Sequence, residues 1–278
     1  MVASAQLRRR PREGSSATRV LGVLDLFTVD EPVWTIDKLV IRLCTTRATA
    51  YRYLKALFDA GFLVRAFNGG YVLGPRFIEF DRQIRLADPL LLVGRPIMAQ
   101  LRAKAAGAQL LCTFYGDRVL CIHQEMTDEQ LPLHMDRGRP FPLFRGAASR
   151  VILSELPPYQ IRNLFLNYST DIAAAQMGNS WVEFRDKLKA IRRAGYCVSG
   201  DVDKRTIGAA APIFRAPSAV IASICVTRLR KKVGPNDIDA MVEVAVGAAQ
   251  RITEGIAKFR PSGRGDKAHS FPMPQVGR

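Results

Sequence analysis

Between Thr45 and Leu57 the sequence combines apolar residues with hydroxyl and basic side chains at helical spacing. Read as a helix, this segment places Ala50, Leu54 and Leu57 on one stripe suited to burial. The remaining surface offers hydrogen-bond donors for phosphate oxygens and base edges. These candidate DNA-binding residues are Thr46, Arg47, Thr49, Tyr51, Arg52 and Lys55. The pattern is that of a DNA recognition helix, which we expect to end at the capping residue Gly61.

Within this set, Arg47 is the candidate for a base edge and Arg52 the candidate for a phosphate. Recognition helices present their N-terminal residues to the bases, and Arg47 directly follows the Thr45-Thr46 turn. An ion pair on the helix surface is the alternative role of Arg52.

The flanking segments predict the elements that hold this helix. A strand-like run from Phe62 to Phe67, the turn Asn68-Gly69-Gly70 and a return over Tyr71 to Leu73 predict a hairpin. Upstream, helical spacing extends from Ala17 to Phe27, and Thr35 can cap a second helix. Three helices and a hairpin predict a winged helix-turn-helix.

Composition agrees with a polyanionic partner. The chain has 278 residues, a formal net charge of +16 and 48% hydrophobic residues, so it has the length for two globular domains. The five cysteines are scattered without a Cys-x-x-Cys pair, which argues against a disulfide framework or a zinc ribbon. The first residues lack a signal-peptide core, and no apolar run is long enough to span a bilayer. We therefore expect a cytoplasmic protein that does not enter membranes.

Nothing in the sequence favours catalysis. It contains three histidines and no nucleophile elbow, zinc-protease helix, P-loop or dinucleotide fingerprint. We expect a protein that is not an enzyme and has no catalytic residues, no metal and no cofactor.

Five segments are expected along the chain. They are a disordered basic leader (1–15), the winged helix-turn-helix (16–75), a linker helix (76–88), an α+β domain (89–259) and a disordered tail (260–278). The leader also has an alternative role as an arm on DNA phosphates.

The α+β assignment rests on helices alternating with strand pairs. The predicted helices cover Pro96 to Lys104, Pro157 to Leu166, Trp181 to Gly195, and a last one capped by Asn236 and reaching Phe259. The predicted strands cover Gln109 to Tyr115, Arg118 to Gln124, Leu131 to Met135, Ala209 to Phe214 and Ala219 to Thr227.

The order of motifs resembles the IclR family of bacterial transcription regulators. In the first half the matching segments are Trp34 to Leu39, Ala48 to Leu57, Gly61-Phe62-Leu63 and Gly70 to Gly74. In the second half they are Gly138 to Leu143, Ala147 to Arg150, Ile191 to Tyr196 and Ala210 to Phe214. The chain departs from the family where Ala48 replaces Ser, Ser149-Arg150 replaces Gly-Lys, Asp201 replaces Glu and Arg205 replaces Gly. The resemblance covers about Ser16 to Phe259 and implies a GAF-like domain that binds a small effector.

The resemblance also implies the effector site. Its residues would be Leu131, Leu133, Ala147, Ala148, Asp201, Cys225 and Thr227. Small residues at the start of a helix allow a carboxylate to approach backbone N–H groups, where the helix dipole favours an anion. Core packing is an equal alternative for Leu131, Leu133 and Cys225. For Arg145 and Arg150 a solvated surface role is favoured over pairing with an acidic effector.

The expected function is transcriptional regulation through double-stranded DNA, at a pseudo-palindromic operator and under control of a small organic acid. The expected assembly is a homodimer or tetramer. Its candidate seam residues are Leu26, Phe27, Phe77 and Phe80, each of which has core packing as the alternative. An architectural DNA-binding protein, whose second domain only oligomerises, is the alternative function.

Overall fold

The computed structural model describes residues 15–67, 69–102, 106–128, 130–131, 136–216, 219–234 and 236–260. The chain divides into two compact units between Ala87 and Asp88. Several predictions fall outside the described residues: residues 1–14 of the leader, residues 261–278 of the tail, Asn68 of the turn, Leu133, and most of the strand predicted at Leu131 to Met135.

Among its described residues, the first unit contains three helices, a hairpin and a fourth helix. Their bounds are α1 Ser16–Gly22, a 3-10 turn Val23–Leu26, α2 Ile36–Leu43, α3 Arg47–Asp59, β1 Leu63–Arg65, β2 Tyr71–Leu73 and α4 Arg76–Ala87. Strands β1 and β2 pair antiparallel, so the hairpin follows α3 as a wing. This arrangement confirms the predicted winged helix-turn-helix.

Local sequence explains where α2 and α3 begin and end. The hydroxyl of Thr35 accepts the backbone N–H of Lys38, and that of Thr46 accepts the N–H of Thr49. At the other end of α3, Gly61 has a φ of +77°. The N–H groups of Gly61 and Phe62 return to the carbonyls of Phe58 and Leu57. These bonds confirm Gly61 as the capping glycine of α3.

The apolar core of the first unit lies behind α3. Ala50, Leu54 and Leu57 are buried as predicted, and Tyr53 is buried with them. Trp34 bridges to Tyr71 of β2, and its indole N–H donates to the Leu26 carbonyl at 3.0 Å. These contacts fix the wing to the helices.

The second unit contains six strands and five helices among its described residues. Helices α5 Pro89–Arg102, α6 Ala147–Glu155, α7 Pro158–Ala174, α8 Trp181–Ala194 and α9 Asp237–Lys258 surround the sheet. Its strands are β3 Ala108–Tyr115, β4 Arg118–Met126, β5 Pro140–Phe141, β6 Cys197–Ser199, β7 Thr206–Ala216 and β8 Ala219–Leu229.

The strands form one antiparallel sheet with the order β5-β4-β3-β8-β7-β6. Ile207, Ala209 and Ala211 of β7 face the core formed with α5 and α9. Ala210, one residue out of phase, faces the core that includes α6, α7 and α8. Helices therefore cover both faces, which confirms the predicted α+β class.

Two predicted helix bounds were wrong: a helix start at Pro96 and a helix end at Leu166. Helix α5 begins at Pro89 and passes through Pro96. Proline suits the first position of a helix, and burial of Leu90, Leu91 and Met98 at about 1.5–3 kcal/mol each offsets the cost of about 3 kcal/mol for an interior proline.

Helix α7 continues to Ala174 instead of stopping at Leu166, with a non-helical φ of −134° at Tyr168. Because the residues after Leu166 are mostly polar, the sequence did not predict this second part of α7. Its Ile172 is buried in the core. Asn236 precedes α9 as predicted, but among the described contacts its side chain makes no capping bond. Asp237 instead accepts the Gly234 N–H at 2.7 Å.

Candidate functional site

The first candidate site is the exposed surface of α3. Arg47, Tyr51, Arg52 and Lys55 are all exposed, while Thr49 is half-buried. Thr46 is the N-cap of α3, and its hydroxyl also lies 3.0 Å from that of Thr49. Both threonines therefore order the first turn of the helix, from which the basic side chains project.

The basic residues of α3 differ in their contacts. Arg47 forms an ion pair with Asp37 of α2, and Lys55 pairs with Asp59 at 2.9 Å. Arg52 forms no ion pair among the described residues, and its guanidinium lies 6.0 Å from the centre of the Tyr53 ring. Because the paired residues are all more than half exposed, the pairs contribute at most about 1 kcal/mol and can open for phosphate.

The second candidate site is a cavity between the start of α6 and the sheet. Its volume is about 30 Å³. It is lined by Leu110, Phe141, Gly146, Ala147, Ala148, Ser199, Gly200, Val202, Thr206, Gly208, Cys225 and Thr227. Of the predicted effector residues, Ala147, Ala148, Cys225 and Thr227 therefore meet at one cavity.

The strand register explains the floor of this cavity. Gly208 is paired with Thr227 on one side and with Ser199 on the other. Two residues away on β8, Cys225 is paired with Ala210 and with Leu110. A Cβ at Gly208 would lie 3.0 Å from the Cys225 sulfur and 3.3 Å from the Thr227 hydroxyl oxygen. Glycine at this position leaves the space beside the thiol and the hydroxyl open.

The roof of the cavity is the first turn of α6. Gly146 precedes the helix with a φ of +82°, and Ala147 and Ala148 are its first two residues. The first N–H groups of a helix have no carbonyl partner within it and carry the positive end of its dipole. The cavity is thus lined by the first turn of α6 and by polar side chains of the sheet.

The side-chain donors of the cavity are few. Thr206 donates its hydroxyl to the Asp203 carbonyl at 3.1 Å, and Ser199 bonds to Asp201. Thr227 lies 3.5 Å from the Cys225 sulfur, a contact in which either atom can donate. Burial raises the pKa of the Cys225 thiol to about 12, so at neutral pH it is uncharged and does not repel an anion.

The other predicted effector residues lie elsewhere. Leu131 is buried in the core that includes α6, and it does not line the cavity. Asp201 lies behind the cavity wall, where one carboxylate oxygen accepts the Gly146 N–H at 2.9 Å. Leu133 is outside the described residues. Within the described residues no three His, Cys, Asp or Glu side chains could hold a metal ion together.

The position of Arg150 differs from the expected one. The favoured solvated role was wrong, because its side chain is 16% exposed and pairs with Asp201 at 2.7 Å. The sequence also did not identify Ser199, Thr206 or Gly208 as cavity residues. The alternation of Thr206 and Gly208 along β7 indicates a shared face, but their distance from Thr227 depends on the pairing of β7 with β8.

Known proteins resemble this chain in sequence and in fold. The family model described as bacterial transcriptional regulator IclR C-terminal matches residues 88–254. The HTH-type transcriptional regulator KipR of Bacillus subtilis is 25% identical over 249 residues, which cover 88% of this chain and 98% of that protein.

Solved structures share the fold at lower identity. An IclR family transcriptional regulator of Brucella abortus is similar with a TM-score of 0.71 at 17% identity, covering 90% of this chain and 95% of the other. An IclR homologue of Microbacterium hydrocarbonoxydans, complexed with 4-hydroxybenzoate, has a TM-score of 0.68 at 23% identity, covering 87% of this chain and 99% of the other. None of the described helices has the length and apolar character to cross a membrane.

Proposed function

The chain belongs to the IclR family of bacterial transcriptional regulators, and we propose that a small carboxylate in its second unit controls its binding to operator DNA. The cavity at the start of α6 is the observation that carries this proposal. Ala147 and Ala148, the first two residues of this helix, line it together with Cys225 and Thr227. A carboxylate would accept from the helix end, and its other end would meet these two groups.

The size of the cavity selects among carboxylates. A volume of about 30 Å³ has room for about two water molecules. A benzene ring occupies an engineered cavity of about 150 Å³. We infer that, among carboxylates, acids of two to four carbons would require the least widening of the cavity. The 4-hydroxybenzoate bound by the Microbacterium relative is aromatic, so this chain would have to widen its cavity to accept it.

DNA binding is assigned to α3 and its wing. We infer that Arg47 contacts a base edge and Arg52 a phosphate, since exposed basic groups surround the N-terminal half of the helix. Thr46 and Thr49 stabilise that turn, and Tyr51 and Lys55 extend the surface. One winged helix has a small footprint, so two copies on a pseudo-palindromic operator would give useful affinity.

The linker helix offers a surface for that pairing. Phe77 and Phe80 pack against Phe62 with ring centres 5.3 and 5.8 Å apart, and Leu26 and Phe27 pack on the core of the same unit. These four residues are therefore occupied within one copy. Ile78 is 73% exposed and Leu86 is 57% exposed on the same helix. We infer that these two residues contribute to a dimer contact.

The test uses the full-length chain and an operator selected from a random pool of duplexes. Two- to four-carbon carboxylates should raise the melting temperature, because a ligand that binds only the folded state stabilises it. The same acids should change operator affinity by about 5-fold to 150-fold, the usual range of coupling between two sites. An operator affinity that no carboxylate changes would favour the architectural function instead.

A further inference from the structure

Arg150 connects four parts of the second unit. Its Nε donates to the Phe144 carbonyl at 3.2 Å, and its Nη2 donates to the Ala175 carbonyl at 3.0 Å. The same Nη2 donates to Asp201 at 2.7 Å, and Nη1 lies 3.4 Å from the Ser199 hydroxyl. A planar guanidinium offers five donors in a fixed fork, whereas an ammonium group offers three rotatable donors from a single nitrogen. Arg150 on α6 is therefore a half-buried connection to the segment before α6, the residue after α7, the last residue of β6 and the segment after β6.

Asp201 is fully engaged by this cluster. Its Oδ1 accepts the Gly146 N–H at 2.9 Å and also contacts the Ser199 hydroxyl. Its Oδ2 accepts from Arg150. A carboxylate whose two oxygens are occupied has little to offer a second anion, and the like charges would repel. Asp201 is thus better suited to organise the effector site than to bind a carboxylate directly.

The groups held by Asp201 are the two walls of the cavity. Gly146 begins the wall formed by the start of α6, and the second wall is formed by Ser199, Gly200 and Val202. The walls are in close contact, since a Cβ at Gly146 would lie 2.7 Å from Cγ2 of Val202. The relative position of the walls therefore depends on the bonds that cross between them.

We propose that Arg150 is the positioning residue of the effector cavity, which it sets by holding Asp201 against both walls. The effect of this role on ligand binding rests on the proposed function, but its effect on the position of the walls can be tested without a ligand. Arg150→Met leaves the carboxylate of this partly buried pair without its counter-charge, so it should release Asp201 and separate the walls.

Cys225 reports on the cavity directly. This thiol lines the cavity and is buried, whereas Cys44 is exposed. The experiment measures the rate at which methyl methanethiosulfonate modifies each cysteine, with peptide mass spectrometry to separate them. Arg150→Met should increase the Cys225 rate about tenfold or more relative to the Cys44 rate, since local opening governs access to a buried group. Arg150→Lys should give a smaller increase, because it keeps the charge.

The matched control is Arg145→Met. Arg145 precedes the same helix and donates to the Ala174 carbonyl at 2.7 Å, but its side chain is exposed. This variant should leave the Cys225 rate unchanged. Cys112 and Cys121 are buried in the same sheet and should keep their wild-type rates in every variant.

Two results would overturn the positioning role. One is a wild-type Cys225 rate in both Arg150→Met and the isosteric Asp201→Asn. The other is an equal increase at Cys112, Cys121 and Cys225 in both variants, which would make the pair a general stabiliser of the fold. If Arg150→Met alone fails to fold, Asp201→Asn decides between selective and general exposure.

Calorimetric titration of the same variants with pyruvate and with acetate separates this proposal from the function it serves. Both ideas are supported if the acids bind the wild type and if their affinity falls about tenfold or more in Arg150→Met but little in Arg145→Met. Unchanged affinity in Arg150→Met overturns the positioning role and leaves the effector site in place. If neither acid binds wild type while Arg150→Met exposes Cys225 selectively, the small-acid effector fails and the positioning role stands.

Discussion

Arg47, the first residue of α3, forms an ion pair with Asp37 in the first turn of α2. Both side chains are 69% exposed. An exposed pair of this kind contributes about 0–1 kcal/mol, less than the 1–3 kcal/mol of a good bidentate contact to a base. The contact can therefore orient Arg47 before binding and yield to a guanine edge afterwards.

Arg47→Ala should cost about 1–3 kcal/mol of operator binding and relax specificity at one base position. The measurement is a fluorescence anisotropy titration with the selected operator and its single-base variants. Asp37→Asn is the control, since it frees Arg47 without removing it and should not weaken binding. A uniform loss across all operators in Arg47→Ala would assign Arg47 to a phosphate.

Arg52→Ala should weaken binding to all sequences by a similar factor. A phosphate contact releases counterions, so the slope of log K against log salt should decrease by about 1 in this variant. Titrations at several salt concentrations with operator and random duplex give both quantities. A loss confined to the selected operator would instead place Arg52 on a base.

Ile78→Asp should weaken self-association through the exposed face of α4. Burying a charge in an apolar contact is costly, while in the monomer this side chain is 73% exposed. Sedimentation velocity over a range of concentrations measures the change. Gln83→Asp on the same helix is the control, because Gln83 is exposed and polar. A wild-type chain that stays monomeric at micromolar concentration would exclude this dimer.

Much of the first unit was predictable because its signals are local. Thr35, Thr46 and Gly61 mark helix ends through bonds within a few residues. Such bonds are encoded by the neighbouring sequence, so the helices and the wing followed from periodicity and capping alone.

The cavity at the start of α6 was only partly predictable because it depends on distant pairing. The resemblance selected Cys225 and Thr227, but Gly208 reaches them only through the register of β7 with β8. The bond between Asp201 and the Gly146 N–H joins residues 55 positions apart. No local pattern could show that both oxygens of this carboxylate are occupied within the protein.

Glu155 should make stability depend on pH. Burial raises its pKa above the ordinary 4.5, opposed by Arg192. A raised pKa in the folded state means that stability falls as pH rises from about 4.5 through the folded pKa. Urea denaturation between pH 4 and 8 should show this loss in wild type relative to Glu155→Gln, which cannot ionise. A difference between the two proteins that is constant with pH would contradict the expectation.

Ala148→Leu should abolish the response to a small carboxylate while leaving operator binding without effector intact. The added side chain enters a cavity of about 30 Å³ lined by Ala148, and it removes the space that the acid requires. Overpacking costs about 1–3 kcal/mol, so melting curves must show that the variant folds. Ala190→Leu is the matched control, because Ala190 is exposed on α8.

Thr227→Val tests the contribution of the Thr227 hydroxyl while keeping the shape of the cavity. It preserves volume but removes the donor beside Cys225, so affinity for pyruvate should fall by about 0.5–1.5 kcal/mol. Thermal shift and calorimetry on full-length protein measure the effect. A carboxylate whose stabilisation survives both Ala148→Leu and Thr227→Val would bind elsewhere, because one change fills the cavity and the other removes one of its side-chain donors.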